Sequence, residues 1–467
     1  MVRIKRNAYR LAHFQGSEAG AREVGGPAKA SPGKRPFVAK TGHFPASTAE
    51  LDFVPASKQP KPSNHLPAVL AGFLGWTLDA FDFFLVVFCL TAIGKEFQKS
   101  DAQIALSITV TLAFRPVGAF LFGLLADRYG RRLPLMINVL FYSLAEVFTG
   151  LVHSYGAFMV LRALFGIGMG GQWGVGASLA MEKVPAGNRG MLSGLLQQGY
   201  AAGSLLAALS FFFLFGRWGW RPLFFIGSLP ALLLVLFIYL RVEESEVWKE
   251  AKVQSWGELR QELSSHWKLF LYLAAFMMTM QFASHGTQDM YPTFLERQWH
   301  FAPNARSAIT AFSSVGAIIG GIIFGHLSDR WGRRRAIVTA FSIAVLMVPL
   351  WAFSPSVTFL VLGAFLMQFM VQGAWGVIPA HLAELSPGSV RALLPGFSYQ
   401  CGTLLSSLVV YIEALFAQKT SYATAMALTG VVVFVFASIM ALVGRERRGI
   451  VFTGQPRMVD TGTTAVE

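Results

Sequence analysis

Long apolar runs alternate with short polar connections along most of the chain. Each run is long enough to cross about 30 Å of hydrocarbon as a helix that satisfies its own backbone hydrogen bonds. Twelve such runs lie near residues 67–93, 103–126, 133–152, 154–182, 190–215, 220–241, 268–295, 305–327, 336–353, 356–383, 392–416 and 422–443. The pattern predicts an all-α integral membrane protein with twelve transmembrane helices.

Composition supports this prediction and limits the chemistry. Of the 467 residues, 54% are hydrophobic and only 14% are charged, which is more apolar surface than a water-soluble core can hide. The two cysteines, Cys89 and Cys401, both fall inside apolar spans. We therefore expect no disulfide framework, no metal site built on cysteine spacing and no cofactor.

The net charge of +14 would suggest a nucleic-acid partner in a soluble protein. Here the topology explains it, because with both termini in the cytoplasm the short cytoplasmic connections carry more Lys and Arg than the external ones. We expect no nucleic-acid partner, and we place the chain as a monomer in the inner or plasma membrane of the cell, with both termini cytoplasmic.

Residues 1–65 hold 11 Lys or Arg against 4 Asp or Glu and are rich in Pro, Gly, Ser and Ala. This composition predicts a disordered, basic cytosolic tail. There is no apolar h-region before Leu66, so we expect no cleaved signal peptide. Residues 444–467 are predicted to form a second cytosolic tail.

An internal repeat divides the spans into two sets of six. Gly-Leu-Leu-Ala-Asp-Arg-Tyr-Gly-Arg-Arg at 123–132 recurs as Gly-His-Leu-Ser-Asp-Arg-Trp-Gly-Arg-Arg at 325–334, an offset of 202 residues. The same offset aligns Trp173 with Trp375, Glu182 with Glu384, Arg189 with Arg391 and Gln198 with Gln400. Parallel repeats of this kind enclose a substrate path between them. The predicted halves are residues 66–241 and 268–443, joined by a charged cytosolic linker at 242–267.

The repeated loop, Gly-x-x-x-Asp-Arg-x-Gly-Arg-Arg, resembles that of the major facilitator superfamily of secondary transporters, and the resemblance covers residues 66–443. It implies two six-helix halves that alternate in exposing a central site. An Asp at the end of a span can pair with Arg or cap the next helix. We interpret the loop as a conformational latch made of Asp127, Arg128, Arg131, Asp329, Arg330 and Arg333.

Charged residues interrupt the first six spans. Asp79 and Asp82 lie three apart on one helix face. Arg115 corresponds to Ala317 in the repeat, so the scaffold does not require its charge. A guanidinium offers a planar, two-donor fork that matches a carboxylate, which makes Arg115 a candidate for binding an acid substrate. The alternative is a structural ion pair between Asp82 and Arg115.

Arg162 precedes a glycine-rich stretch, Gly166-x-Gly168-x-Gly170-Gly171. This arrangement resembles the fourth-span motif of proton-coupled members of the superfamily. The residue could equally be a structural partner of Asp79, Asp82 or Glu146.

The seventh span contains a polar cluster. Its members Gln281, Ser284, His285, Gln288 and Asp289 follow a spacing of three or four and share one helix face. An Asp at the centre of a membrane helix costs roughly 2.5–3.5 kcal/mol, so such a group normally faces a cavity or a partner. We predict that His285 and Asp289 form a protonation site. Pro292 cannot donate to the carbonyl of Gln288, so we also predict a kink here.

The segment Ser-His-x-Thr-Gln-Asp-x-x-x-Thr at 284–293 resembles the seventh-span motif of Jen-type lactate permeases in the sialate:proton symporter group. The segments at 79–84, 115–118, 197–200 and 395–402 are similar to others of that family. The resemblance implies that Arg115, His285, Asp289 and Gln400 line the central path. The chain departs from the family pattern at Gln281 and Thr403, where the family has Asn.

Together these features predict a proton-coupled symporter of short monocarboxylates such as lactate or pyruvate. Arg115 would hold the carboxylate, and the residues proposed to bind the rest of the substrate are Gln198, Tyr200, His285, Gln400 and Thr403. The candidates for the coupled proton are Asp289, His285, Asp82 and Asp79. Since the sequence has no metal cluster, phosphate loop or nucleophile with its base outside the spans, we do not expect an enzyme.

Alternatives of two kinds stay open at this point. The substrate could be sialate, a dicarboxylate or an aromatic acid, since the Asp79-x-x-Asp82 pair also resembles aromatic-acid symporters. A non-transporting membrane sensor with a signalling tail is a different class of function.

Overall fold

The computed structural model describes residues 64–452 apart from residues 254 and 407. Residues 1–63, which make up nearly all of the predicted basic tail, therefore lie outside the described residues. So does the part of the second predicted tail that follows Phe452. Within the described part the secondary structure is helical, with no strand.

The helices of the first half and linker are α1 (Leu66–Glu96), α2 (Asp101–Tyr129), α3 (Arg132–Leu151), α4 (Tyr155–Lys183), α5 (Arg189–Gln197), α6 (Gly199–Trp218), α7 (Arg221–Arg241), α8 (Glu246–Ala251) and α9 (Trp256–Ser265). Those of the second half are α10 (Trp267–Gln288), α11 (Tyr291–Arg297), α12 (Pro303–Trp331), α13 (Arg333–Ala352), α14 (Val357–Leu385), α15 (Leu393–Ser406), α16 (Val409–Lys419) and α17 (Tyr422–Val443). Every predicted span overlaps one of these helices or a consecutive pair, so the all-α prediction is confirmed.

Nine helical segments of the described chain are long and apolar enough to cross a membrane. The predicted spans outside this set are α4, α10 and the pair α15 and α16. Polar side chains lower the mean hydropathy of α4 and α10, and α15 and α16 have only 14 and 11 residues, too few for either to cross a membrane alone.

Three predicted spans consist of two helices each. The seventh was predicted to kink, but α10 ends at Gln288 and α11 begins at Tyr291 with Pro292 in its first turn. Proline is tolerated there because the first N–H groups of a helix have no partner within it. The breaks in the fifth span at Gln198 and in the eleventh span before Val409 were not predicted.

Close helix packing follows the repeat. A Cβ on Gly118 of α2 would lie 1.7 Å from the carbonyl oxygen of Ile167 in α4, and one on Gly320 of α12 would lie 2.0 Å from that of Phe369 in α14. Only glycine permits such contact, and small residues at helix interfaces are a main source of packing in lipid. The two pairs are related by the offset of 202 residues and hold the second and eighth spans in equivalent places.

Both halves turn sharply after these spans. Gly130 and Gly332 have positive φ angles of 109° and 102°, which glycine adopts without strain. We call the end of the molecule that carries these two turns the loop end.

Candidate functional site

A cavity of about 600 Å³ lies between helices of the first and second halves. It is lined by residues that include Phe83, Phe84, Arg115, Gln197, Gln198, Tyr200, Gln281, Ser284, His285, Gln288, Asp289, Gln368, Gln372, Trp375, Tyr399 and Thr403. The lining also includes four residues of α12, all in the half of that helix remote from the loop end: Thr310, Ser313, Ser314 and Ala317. The cavity thus occupies the middle of the molecule and the end opposite the loops.

Arg115 lies in the cavity wall with only 4% of its surface exposed. Its side chain forms no hydrogen bond or ion pair with any residue that the structure describes, and its Nε atom is buried without a partner. The alternative ion pair with Asp82 is therefore absent from this structure. The Asp79 carboxylate interacts with it electrostatically but makes no ion pair with it. A buried cation without a directly paired anion is costly, so this position is suited to an anion that enters the cavity.

Asp79 and Asp82 are fully buried in α1 and lie outside the cavity lining. None of their four carboxylate oxygens has a hydrogen-bond partner in the described part of the chain. The Oδ1 atom of Asp82 packs against Gly227 in α7, 2.5 Å from the place where a Cβ would lie. A role in proton coupling for either residue stays a prediction, and in this conformation neither reaches the cavity.

Arg162 pairs with Glu146, with 3.0 Å between Nη1 and Oε1, and also donates to the hydroxyl of Thr149. Both charged side chains are buried. Of the three carboxylates considered as partners for Arg162, the structure thus selects Glu146. The pair stabilises the contact between α3 and α4 within the first half.

His285 and Asp289 lie one helical turn apart at the end of α10, with 3.0 Å between Nδ1 and Oδ2. Their side chains are 36% and 41% exposed, and both line the cavity. The pair thus presents a carboxylate and an imidazole, hydrogen-bonded to each other, to the cavity. The structure therefore brings together the two groups that the sequence singled out.

Glutamines of the tenth span complete the polar wall and were missed by sequence reasoning. Gln372 donates to the hydroxyl of Ser284 over 3.0 Å, and Gln288 donates to Gln368 over 2.8 Å. Gln368 in turn donates to Thr287. The available signal was two amides four residues apart in an otherwise apolar run, which places them on one helix face.

The two positions that depart from the family pattern contact each other. Gln281 on α10 donates to the hydroxyl oxygen of Thr403 on α15 over 2.6 Å, and Thr403 donates to the carbonyl of Tyr399. Glutamine is one methylene longer than asparagine, and its amide reaches the shorter side chain of Thr403. The bond joins the seventh span to the eleventh.

The remaining predicted contacts divide between the wall and the interior. Gln198 and Tyr200 line the cavity, and the Tyr200 ring packs 5.3 Å from that of Phe84. Gln400 is only 1% exposed, lies outside the cavity lining, and has both amide atoms without a described partner. Its contact with substrate stays a prediction that this conformation does not display.

Aromatic rings form a layer on the side of the cavity nearer the loop end. The ring of Tyr399 lies 4.5 Å from that of Trp173, 5.6 Å from Trp375 and 6.3 Å from Trp76. Trp173 and Trp375 are equivalent in the repeat, so the two halves contribute matched rings around one central tyrosine. The layer separates the cavity from the ion pairs at the loop end.

The loop motif of the first half joins it to the second half. The carboxylate of Asp127 accepts hydrogen bonds from the backbone N–H groups of Ala392 and Leu393 over 3.0 and 2.9 Å, at the start of α15. Arg131 bonds to Asp127 over 2.5 Å and to Glu182 over 3.1 Å. An anion at a helix N-terminus is stabilised by the free N–H groups and by the helix dipole.

The loop motif of the second half contacts the first half in the equivalent way. Asp329 accepts from the N–H groups of Gly190 and Met191 over 2.8 and 3.0 Å, at the start of α5, and from Arg333 over 2.9 Å. Arg333 also bonds to Glu384. The two halves are therefore joined twice at the loop end, and a role for these residues as a latch stays a prediction.

Two members of the predicted latch have other surroundings. Arg128 donates to the carbonyl of Val253 in the linker over 3.1 Å. The side chain of Arg330 is exposed and forms no hydrogen bond or ion pair with a described residue. The side chain of the first Arg of the motif thus binds the linker in one half and has no described partner in the other.

Phe452 packs against two arginines at the loop end. Its ring lies 3.8 Å from the guanidinium carbon of Arg189 and 3.9 Å from that of Arg391, and it is 8% exposed. Arg189 pairs with Glu384 and Arg391 with Glu182, so each arginine reaches a carboxylate of the opposite half. The ring therefore sits between two arginines that bridge the halves.

Comparison with known proteins identifies the family. The model of the Major Facilitator Superfamily matches residues 72–296 and 289–458. The chain is 30% identical to the carboxylic acid transporter protein homolog of Saccharomyces cerevisiae, over 80% of this chain and 67% of that protein. It is 28% identical to the sialic acid transporter NanX of Escherichia coli, over 72% and 83% of the two chains.

A solved structure has the same fold at low identity. The proton:xylose symporter XylE bound to 6-bromo-6-deoxy-D-glucose superposes with a TM-score of 0.67 and 17% identity, over 82% of this chain and 97% of that one. The family match and this fold agree with the all-α architecture, and the matched family is one of transporters, not enzymes. The chain belongs to the Major Facilitator Superfamily and is a multi-pass membrane transporter.

Proposed function

We propose that the protein is a proton-coupled symporter of carboxylic acids, with short monocarboxylates such as lactate or pyruvate as its substrates. The observation that carries the proposal is Arg115, a buried guanidinium in the cavity wall that makes no hydrogen bond or ion pair with a described residue, although the Asp79 carboxylate lies within electrostatic range. Such a charge in the wall favours an anionic substrate over a neutral one. The carboxylic acid and sialic acid transporters among the relatives are consistent with an acid substrate.

Arg115 is proposed to bind the substrate carboxylate through two parallel hydrogen bonds. Gln198, Tyr200 and Thr403 would donate to or accept from a hydroxyl or keto oxygen of the same molecule. Gln198 and Tyr200 are supported by their place in the cavity wall. Gln400 would join them only after a movement of α15, since it lies behind the wall in this conformation.

His285 and Asp289 are proposed as the protonation site that faces the cavity. A carboxylate with access to water gains a proton as the outside becomes more acidic, and the arrival of an anion nearby favours this protonated form. Substrate and proton then enter together as a neutral pair. Their contact of 3.0 Å supports a shared proton.

Alternating access would use residues 66–241 and 268–443 as the two moving halves, with residues 242–267 as the linker. We propose that the loop end is cytosolic, because its connections are rich in Lys and Arg. The latches join the halves at that end while the cavity occupies the other, which supports an outward-facing state. Opening of the latches would expose the cavity to the cytosol.

Larger or aromatic acids are a second candidate class. A cavity of about 600 Å³ exceeds the needs of a three-carbon acid, and its wall includes the rings of Phe83, Phe84, Tyr200 and Tyr399. Such rings can stack on an unsaturated or aromatic substrate.

Transport by the purified protein in liposomes decides between these classes. We expect uptake of labelled lactate that rises as the outside is acidified and that falls when unlabelled pyruvate is added. Competition by benzoate or muconate in place of pyruvate would assign the second class. Binding of an acid without its accumulation would indicate a sensor.

A further inference from the structure

A buried carboxyl group lies behind the proposed protonation site, on the side away from the cavity. Glu413 in α16 is 0% exposed, and neither of its oxygens has a hydrogen-bond partner among the described residues. It does not line the cavity. A charged carboxylate without a partner in such a place is so costly that the group instead keeps its proton.

Glycine brings this carboxyl group close to the polar cluster. Gly286 follows His285 in α10, and a Cβ there would lie 3.3 Å from Oε1 of Glu413. The absence of a side chain thus lets the carboxyl group approach the backbone of α10, within the turn that ends at Asp289. Asp289 is also the charged group with which Glu413 interacts electrostatically.

The elements around Glu413 hold few other titratable groups. On α10 the groups near this turn are His285 and Asp289, since Lys268 and Tyr272 belong to its opposite end. On α17 the neighbour of Gly286 is Thr429, and the titratable residue of that helix is Tyr422, at its first position. Glu413 and the His285–Asp289 pair therefore form one cluster divided by the backbone at Gly286.

We propose that Glu413 is a second proton-binding group of the transport cycle, and this inference rests on the proposed function. In the present state Glu413 holds a proton while Asp289 meets the water of the cavity. The break between α10 and α11 at residues 289–290 lets this segment move relative to α16. When it does, Glu413 releases its proton to the cytosolic water and then takes the proton that Asp289 gained from outside, so that one proton crosses per substrate.

Isosteric substitution separates this role from packing. Glu413→Gln keeps the shape and neutrality of the protonated group but cannot release a proton. We expect a loss of at least about tenfold in the accumulation of lactate driven by a pH gradient, with lactate exchange at equal pH close to wild type. Glu413→Asp should recover part of the accumulation. Glu296→Gln, which removes a half-exposed carboxylate from the neighbouring α11, serves as the control.

Two results would overturn the inference. One is accumulation by Glu413→Gln equal to that of the wild type. The other is an equal loss of exchange and accumulation in both Glu413→Gln and Glu413→Asp, which indicates a structural role. If the wild type itself neither exchanges nor accumulates any acid, the proposed function fails first. Infrared spectra of the protein without substrate still test Glu413 in that case. The band of protonated carboxyl groups, to which the buried Asp79 and Asp82 can also contribute, should lose one component in Glu413→Gln and stay unchanged in Glu296→Gln.

Discussion

The Asp127 carboxylate accepts a hydrogen bond from the backbone N–H of Leu393, 2.9 Å away and 266 residues later in the chain. Its repeat equivalent, Asp329, makes the same bond to Met191 over 3.0 Å. Each half of the transporter thus caps a helix of the other half at the loop end. The two contacts obey the internal repeat, so one duplicated motif joins the two halves at two equivalent places, and we predict that both contacts hold the loop end closed.

Neutralising Asp127 should loosen this gate. Hydrogen bonds to a charged group contribute about 1.5–3 kcal/mol and those to a neutral one about 0.5–1.5 kcal/mol. Asp127→Asn should therefore destabilise the closed loop end by about 1–2 kcal/mol, a roughly five- to thirty-fold shift in the population ratio. Spin labels at positions 187 and 335 report the distance between the halves at this end.

Arg330→Gln is the matched control, because it lies in the same motif and its side chain has no described partner. We expect its distance distribution to equal that of the wild type. An opening in Arg330→Gln as large as that in Asp127→Asn would contradict the assignment of the latch to the two Asp caps.

Phe452 should add to the closure of the loop end. A cation over an aromatic face contributes about 0.5–2 kcal/mol, and this ring contacts both Arg189 and Arg391. Phe452→Ala should therefore lengthen the same label distance, whereas Phe452→Trp should preserve it. Identical distributions for the alanine variant and the wild type would show that the ring is not part of the gate.

The hydrogen bond between Gln281 and Thr403 makes a double-mutant cycle informative. Gln281→Asn shortens the amide and should break the 2.6 Å contact, and Thr403→Asn alone should crowd it. The double variant restores the pair of asparagines of the related permeases and should recover transport. We expect a coupling energy of about 0.5–3 kcal/mol in the apparent affinity for lactate. Additive losses in the two single variants would mean that the residues act independently.

The sequence predicts those features of the fold that depend on residues close together along the chain. The spans follow from apolar runs, and the latch follows from a motif that occurs twice. The cap that Glu446 provides to the N–H groups of Arg333 and Arg334 joins residues more than a hundred positions apart, and no local pattern announces it. Glu244 does the same for Arg131 and Arg132.

The candidate site shows the same limit. His285 and Asp289 are one turn apart on one helix, so their contact could be predicted from spacing alone. Which carboxylate pairs with Arg162, and whether Arg115 has any partner, depends on the packing of separate helices. Glu413 was overlooked because a single carboxylate near the end of an apolar run resembles a group at the membrane surface, and only the structure reveals its burial.

Arg115 is the most direct test of acid recognition. Removal of one partner from a buried ion pair costs about 3–5 kcal/mol, so Arg115→Ala should lower lactate uptake at low concentration by at least roughly 100-fold. Arg115→Lys keeps the charge but loses the planar fork, so its uptake should lie between that of the wild type and that of Arg115→Ala. Arg217→Ala, an exposed arginine at the end of α6, should behave as the wild type. Full uptake by Arg115→Ala would exclude this residue as the carboxylate binder.

The central claim is that one acid anion and one proton cross together, and simultaneous measurement of both fluxes tests it most directly. Purified protein in liposomes would be supplied with labelled lactate while a pH-sensitive dye reports proton entry, with the membrane potential set by potassium and valinomycin. We predict one proton per lactate, accumulation driven by an acidic exterior, and no change in rate when the potential is varied. Lactate uptake that follows the potential, or that proceeds unchanged without a pH gradient and without proton entry, would contradict the account.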